Sequence, residues 1–262
     1  MEKLIAIVVS FCIGLAATAQ STPKLLASGN FNQLSVDNFG HIYLVSNTNQ
    51  IKKINSNGDS LAVFNDVRQY GTVGTLDVSN PLKPMVFYKD MLTIVLLDRL
   101  LGKKAVINLN KLGLYQIGAA CISYDGFVWV YNELDATVAK LDDNGIVVQQ
   151  TADLRQALGV NLRVNSMFDY RGHLYLYDST QGLYEFDYYG ALLRKQAIKN
   201  YSSVAFLDNV LYGVEAARID DLDNWPITKT WVQNTTALTG KLYPYKNGFL
   251  VVGKGAVWRV PM

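Results

Sequence analysis

Asp125-Gly126-Phe127-Val128-Trp129-Val130-Tyr131-Asn132 is the stretch whose reading decides the fold. A turn pair opens it, aliphatic and aromatic residues alternate through it, and an amide closes it. That period-2 pattern between turn signals is a β-strand pattern. Beyond it come a second apolar run, Val138-Ala139-Lys140-Leu141, and a second turn, Asp142-Asp143-Asn144-Gly145.

The same series of signals occurs twice more. One copy runs from Asp37 through Gly40 and the strand Ile42-Tyr43-Leu44-Val45-Ser46 to Ile51–Ile54 and the turn Asn55-Ser56-Asn57-Gly58. The other runs from Tyr170 through Gly172 and the strand ending in Asp178 to Leu183–Phe186 and Asp187-Tyr188-Tyr189-Gly190. The two glycines of each copy are 18, 19 and 18 residues apart in chain order, a shared register that chance rarely supplies. The first glycine permits a tight turn into a strand, and the second supplies the positive φ a hairpin needs.

Weaker copies fill the intervals. Val86–Asp90 leads into Leu92–Asp98 and Ala105–Leu109, Val204–Asn209 leads into Val210–Glu215, and Leu242–Gly248 leads into Phe249–Lys254 and Val257–Val260. Turn glycines or their equivalents then fall near positions 40, 90, 126, 172, 209 and 248, a mean spacing of about 42. Repeats of roughly 40–50 residues built of short strands are blades of a β-propeller. The expected fold is all-β, a six-bladed propeller. The chain stops one strand short of a full last blade, and Lys24-Leu25-Leu26-Ala27-Ser28 stands ready to complete it. An open sandwich pair or a solenoid leaves that missing strand unaccounted for. Two segments depart from the repeat: Asp66–Pro84, and Thr151–Asn165, whose Ala152–Leu158 reads as a short helix on a rim.

The front of the chain reads as an export signal. Lys3 supplies a positive start, Leu4–Ala16 an apolar run, and Ala17-Thr18-Ala19 the small residues before a cut at Gln20. The run is shorter than the roughly 20 residues that span a bilayer. Cys12 lies inside it after Phe11, the wrong place for lipid attachment. Residues 1–19 are therefore read as a signal peptide and 20–262 as a single propeller domain, in a periplasm, associated with an outer membrane or outside the cell. The mature chain shows no further membrane span.

Composition narrows the chemistry. Without Cys12 only Cys121 remains, so no internal disulfide forms, and two histidines with one thiol make poor material for zinc. The net charge is +2 and the lysines are scattered, which leaves no electrostatic footprint for nucleic acid. No Gly-x-Ser-x-Gly elbow and no Gly-rich phosphate loop occurs. His41 and His173 both follow a turn glycine, a repeat-derived position.

The unit of Asp-Gly, a short strand, Asp or Asn, then Leu-x-x-Phe/Ile-Asp-x-x-Gly resembles NHL-type and TolB-like six-bladed propellers. It is carried here by Asp125–Gly145 and Gly172–Gly190. Leu76–Asp90 with Leu97-Asp98 is also similar to secreted propeller proteins of Bacteroidota. The resemblance implies roles from envelope scaffolds to ligand sensors and a few hydrolases.

Aligning the copies places one polar residue per blade at the end of the second strand: Ser46, Asp98, Asn132, Asp178, Glu215 and Lys254. If these strand ends share a face, the six ring the mouth of the axis and bind a polar ligand. An Asp or Asn there also ties the following turn through its backbone N–H groups. Asp98, Asp178 and Glu215 are the candidates for a divalent cation, with calcium the possible cofactor and otherwise none, because hard cations take oxygen ligands. Gluconolactonase-type propellers hold a cation with such residues, but their local motifs do not map onto this chain. Trp129, Tyr131, Tyr175, Tyr177 and Tyr184 read as packing between blades, while Tyr188, Tyr189 and Trp225 in turns read as anchors for a partner. The first functional reading is a non-catalytic, monomeric scaffold of the bacterial cell envelope that recruits another envelope protein. The alternatives are a metal-dependent lactonase-like hydrolase and a binder of a glycan or small polar ligand.

Overall fold

The computed structural model describes residues 22–66, 69–216, 218–226, 228–232, 240–253 and 255–261. The signal-peptide reading and Lys254 lie outside them. The described residues form six four-stranded antiparallel sheets. β1 (Lys24–Ser28) precedes the first of these. Blade 1 contains β2 (Phe31–Val36), β3 (Ile42–Ser46), β4 (Ile51–Ile54) and β5 (Ser60–Phe64). Blade 2 contains β6 (Thr75–Asp77), β7 (Met85–Tyr88), β8 (Thr93–Leu97) and β9 (Lys103–Asn108). Blade 3 contains β10 (Ile117–Ile122), β11 (Val128–Asn132), β12 (Thr137–Leu141) and β13 (Val147–Gln150). Blade 4 contains β14 (Ser166–Tyr170), β15 (His173–Asp178), β16 (Gly182–Phe186) and β17 (Leu192–Gln196). Blade 5 contains β18 (Ser203–Leu207), β19 (Val210–Glu215), β20 (Arg218–Asp221) and β21 (Lys229–Val232). Blade 6 contains β22 (Lys241–Tyr245), β23 (Gly248–Gly253) and β24 (Ala256–Pro261), and β1 completes it.

The closing strand behaves as its sequence predicts. β1 pairs antiparallel with β24, Lys24 opposite Arg259 and Ser28 opposite Ala256. Leu26 enters the blade 6 core with Leu250 and Val257. The pairing leaves no open edge between the first and last blades.

First strands of neighbouring blades contact one another, β2 with β6, β6 with β10, β10 with β14 and β14 with β18, so they surround the axis. The core lies between blades. Trp129, Tyr131, Tyr177 and Tyr184 are almost completely buried, and Tyr175 nearly so. Each such side chain taken from water is worth roughly 2–3 kcal/mol, and their pleated spacing suits aromatic packing. Trp258 packs against the blade 6 core, and Trp231 sits on β21.

Because strands alternate in direction, the turns joining first to second and third to fourth strands lie on one face of the ring, here the turn face. The turns joining second to third strands, and the connections between blades, lie on the opposite face. The repeated glycines do occupy these turns at positive φ: Gly40, Gly126 and Gly172 at 82°, 83° and 78°, and Gly58, Gly145 and Gly190 at 98°, 83° and 89°.

Blade 2 differs from the expectation. β6 lies within Asp66–Pro84, the segment read as an insertion, so the strand ending at Leu97 is the third of its blade and not the second. The other departing segment carries a helix, α1, at Leu154–Leu158, capped by Asp153.

Candidate functional site

Asp98 shows the effect of that shift. Its Oδ1 accepts the N–H groups of Leu100 at 2.7 Å and Gly102 at 2.8 Å. Asn55, Asp142 and Asp187 make the same pair of bonds in the third turns of blades 1, 3 and 4. Asp98 is therefore a turn tie on the turn face, not a member of a second-strand ring.

Ser46, Asn132, Asp178 and Glu215 do end second strands, on the opposite face. They stand one strand out from the axis and do not ring its mouth. Ser46 Oγ accepts the N–H of Gln50 at 3.1 Å, and Asn132 Oδ1 that of Leu134 at 3.1 Å. Asp178 is buried and receives Arg163 N–H at 2.7 Å, Thr180 N–H at 2.8 Å, Thr180 Oγ1 at 2.7 Å and Gln181 N–H at 3.1 Å. Burial pushes its carboxyl up, but these donors outweigh burial and hold it below the usual carboxylate range. Glu215 is half-buried, and its side chain makes no hydrogen bond among the described residues. The carboxylates weighed for a cation are thus divided between two faces, and no group of three His, Cys, Asp or Glu gathers among the described residues.

The two histidines are engaged where the repeat places them. His41 Nδ1 lies 2.9 Å from Asp37 Oδ2, and His173 Nδ1 lies 2.7 Å from Glu185 Oε1. Cys121 is fully enclosed, and burial pushes its thiol well up, which leaves it unreactive.

Of the expected anchors, Tyr189 stands free at 86 % exposure. Tyr188 is turned inward instead: its ring covers Lys140 Nζ at 3.8 Å and its hydroxyl meets Ser123. Trp225 is half-buried against the blade 5 core. Apolar rings at turns pack onto a neighbouring blade where one lies within reach, which the sequence alone does not show.

The structure brings together a different set, on the turn face beside the axis. The first turns of blades 1 to 4 enclose a cavity of about 420 Å³. Asp37 accepts the N–H groups of Phe39 at 3.0 Å and His41 at 2.9 Å, and so holds Phe39 outward on one rim. In blade 2, Asp77 receives Ser79 N–H at 2.8 Å and, across the blade boundary, Ile122 N–H at 2.7 Å. That fixes Ser79 and Asn80 beside Ser123 and Tyr124 of blade 3. Asp169 forms the floor on the blade 4 side: its Oδ2 lies 3.2 Å from Tyr124 N and 3.3 Å from Trp129 Nε1, while its enclosed Oδ1 has no hydrogen-bond partner. Burial pushes the Asp169 carboxyl up, and these donors offset it only in part. Arg171 completes the wall, donating to Asn209 Oδ1 at 2.9 Å.

No residue that lines this cavity is among the site candidates the sequence offers. A signal was present nonetheless: Phe39 and Tyr124 stand one and two places before a turn glycine, positions that turn chemistry gives to polar residues.

No protein-family model matches the sequence, and no curated protein matches it. Solved structures do resemble it. A protein of unknown function from Bacteroides thetaiotaomicron superposes with a TM-score of 0.59 at 10 % identity, covering 92 % of this chain and 72 % of its own. A streptogramin B lyase gives 0.57 at 10 % identity, covering 91 % and 96 %. BamB from Moraxella catarrhalis gives 0.50 at 15 % identity, covering 88 % and 70 %. At such identities the likeness establishes the six-bladed propeller fold and leaves activity to be argued from the site.

Proposed function

We propose that the protein is a non-catalytic scaffold of a bacterial cell envelope that docks a protein partner on its turn face. The carrying observation is that the third turns of three consecutive blades end in exposed apolar side chains. These are Leu100 in blade 2, Ile146 in blade 3 and Tyr189 in blade 4, at 63 %, 62 % and 86 % exposure. The hairpins do not need them, since the turn bonds are made by Asp98, Asp142 and Asp187. Apolar tips on the same face of successive blades suit an interface, where an exposed aromatic serves as anchor. An envelope setting is supported by the export signal read at residues 1–19. No helix among the described residues is long and apolar enough to cross a membrane.

The test is capture of partners from detergent-solubilised envelopes, with the mature chain and a Leu100→Ser, Ile146→Ser, Tyr189→Ser variant as baits. A partner held by the first and lost by the second, with melting temperatures alike, supports the reading. Absence of any reproducible partner, or a partner released only by Tyr115→Ser and Leu134→Ser on the opposite face, overturns it.

A further inference from the structure

The cavity beside the axis has a composition of its own, and its lining narrows the ligand. A pocket with apolar walls and a few convergent polar groups is the usual form of a small-molecule site. Here the aromatic walls are Phe39 and Tyr124, exposed at 70 % and 66 %. The side chains of Asn38 and Ser79 also line it, and neither has a protein partner among the described residues. Asn80 spends its Oδ1 on Leu82 N–H at 3.1 Å, which leaves its amide N–H groups for a ligand. The free groups thus include both donors and acceptors.

Charge decides between ligand classes. An anion such as phosphate would meet the Asp169 carboxylate in the floor, and a cation such as an ammonium would meet the positive charge of Arg171, a lining residue whose guanidinium is turned onto Asn209 and the Tyr170 ring. In a partly desolvated pocket like charges facing a ligand cost more than they do in water. A neutral ligand meets neither penalty. An extended peptide would need its backbone groups paired, whereas this cavity is enclosed by hairpin turns whose own backbone bonds are made, with Asp37 N bonded to His41 O and Ser123 N to Phe127 O. A compact neutral molecule rich in hydroxyl groups satisfies all of these conditions. Its hydroxyls both donate and accept, and its C–H face lies against an aromatic ring.

We infer that this cavity is a saccharide-binding site, with Tyr124 and Phe39 as the stacking walls and Asn38, Ser79 and Asn80 as the hydroxyl-reading groups. The site stands apart from the protein-docking reading, which uses the outer turns, and either holds without the other.

Saturation-transfer NMR on the mature chain tests it, with chitotriose, cellotriose, maltotriose and galactobiose as probes and inorganic phosphate and putrescine as charged controls. The expected result is binding of at least one saccharide, weakened about tenfold by Tyr124→Ala, as loss of one aromatic contact implies. Asn38→Ala weakens it too, whereas Ser46→Ala on the opposite face and the Leu100, Ile146, Tyr189 triple variant leave it unchanged. Tyr124 and Asn38 are exposed or solvent-facing, and thermal melting confirms that the variants fold. No signal from any saccharide, a signal that survives both cavity variants, or displacement of the saccharide by phosphate or putrescine overturns the assignment.

Discussion

Lys140 Nζ sits 3.8 Å from the centre of the Tyr188 ring, so that a lysine of blade 3 is roofed by an aromatic residue of blade 4. The same ammonium lies 4.9 Å from the Trp129 ring and pairs with Asp125, and only 4 % of the residue is exposed. Lys53 of blade 1 has the equivalent place, opposite Tyr43 on the neighbouring strand and 5.0 Å from its ring. Blades 1 and 3 thus share a buried lysine, and in blade 3 it explains why Tyr188 turns inward while Tyr189 remains outside.

Replacing Lys140 by Met keeps the stem and removes the charge. Asp125 keeps about a quarter of its side chain in water, at 28 % exposure, so it is rehydrated rather than stranded. The expected loss is about 1–2 kcal/mol, most of it cation–π attraction. Urea denaturation measures it, and a double-mutant cycle with Tyr188→Leu should return a coupling of about 1 kcal/mol.

Asp178 gives the pH dependence. Its folded carboxyl is held below the ordinary value, so its contribution is fully present above the unfolded pKa, near 4, and is lost as pH falls through the folded one. Asp178→Ala leaves buried donors unpaired and should cost about 2–3 kcal/mol at neutral pH. In chemical denaturation at successive pH values the gap between the two proteins should narrow in acid. A gap that stays constant to pH 2 would contradict the assignment.

Asp98 belongs to a hairpin, and its removal should be felt there alone. Asp98→Ala is expected to lower the melting temperature by about 2–4 °C, a loss near 1 kcal/mol for a chain of this size. Because Asp98 faces away from Asp178 and Glu215, addition of millimolar calcium should not move the melting temperature of the wild type or of Asp98→Ala. A calcium-dependent rise that vanishes in Asp98→Ala and Glu215→Ala would restore a cation site.

Ring closure depends on β1. Leu26 is 6 % exposed between Leu250 and Val257, and Leu26→Ala should cost about 2–4 kcal/mol. Deleting residues 20–28 should leave β24 as an open edge and shift the protein to larger species on size exclusion. A truncated chain that elutes as the parent does, with an unchanged melting temperature, would show that the pairing is dispensable.

Three blades were legible because their turns carry glycine where the backbone needs positive φ. Blade 2 lacks that mark for one reason. In the third turn Gly58, Gly145 and Gly190 each donate N–H to the carbonyl of the residue three before, and Leu101 makes the same bond to Asp98 at 2.9 Å with φ of 63°. A leucine in a left-handed position hides the repeat from any reading that follows glycine. It is held there by burial, at 3 % exposure in the core between blades 1 and 2.

The sequence by itself determined the six-fold repeat and the borrowed first strand, since each follows from local periodicity, turn chemistry and length. Only the tertiary structure decided which polar residues meet. A strand end and a turn look alike in one dimension, but antiparallel order sends them to opposite faces, so Asp98 parted from Asp178. The cavity of Asn38, Ser79, Tyr124 and Asp169 draws on four turns distant in the chain, joined only when neighbouring blades pack side by side around the axis.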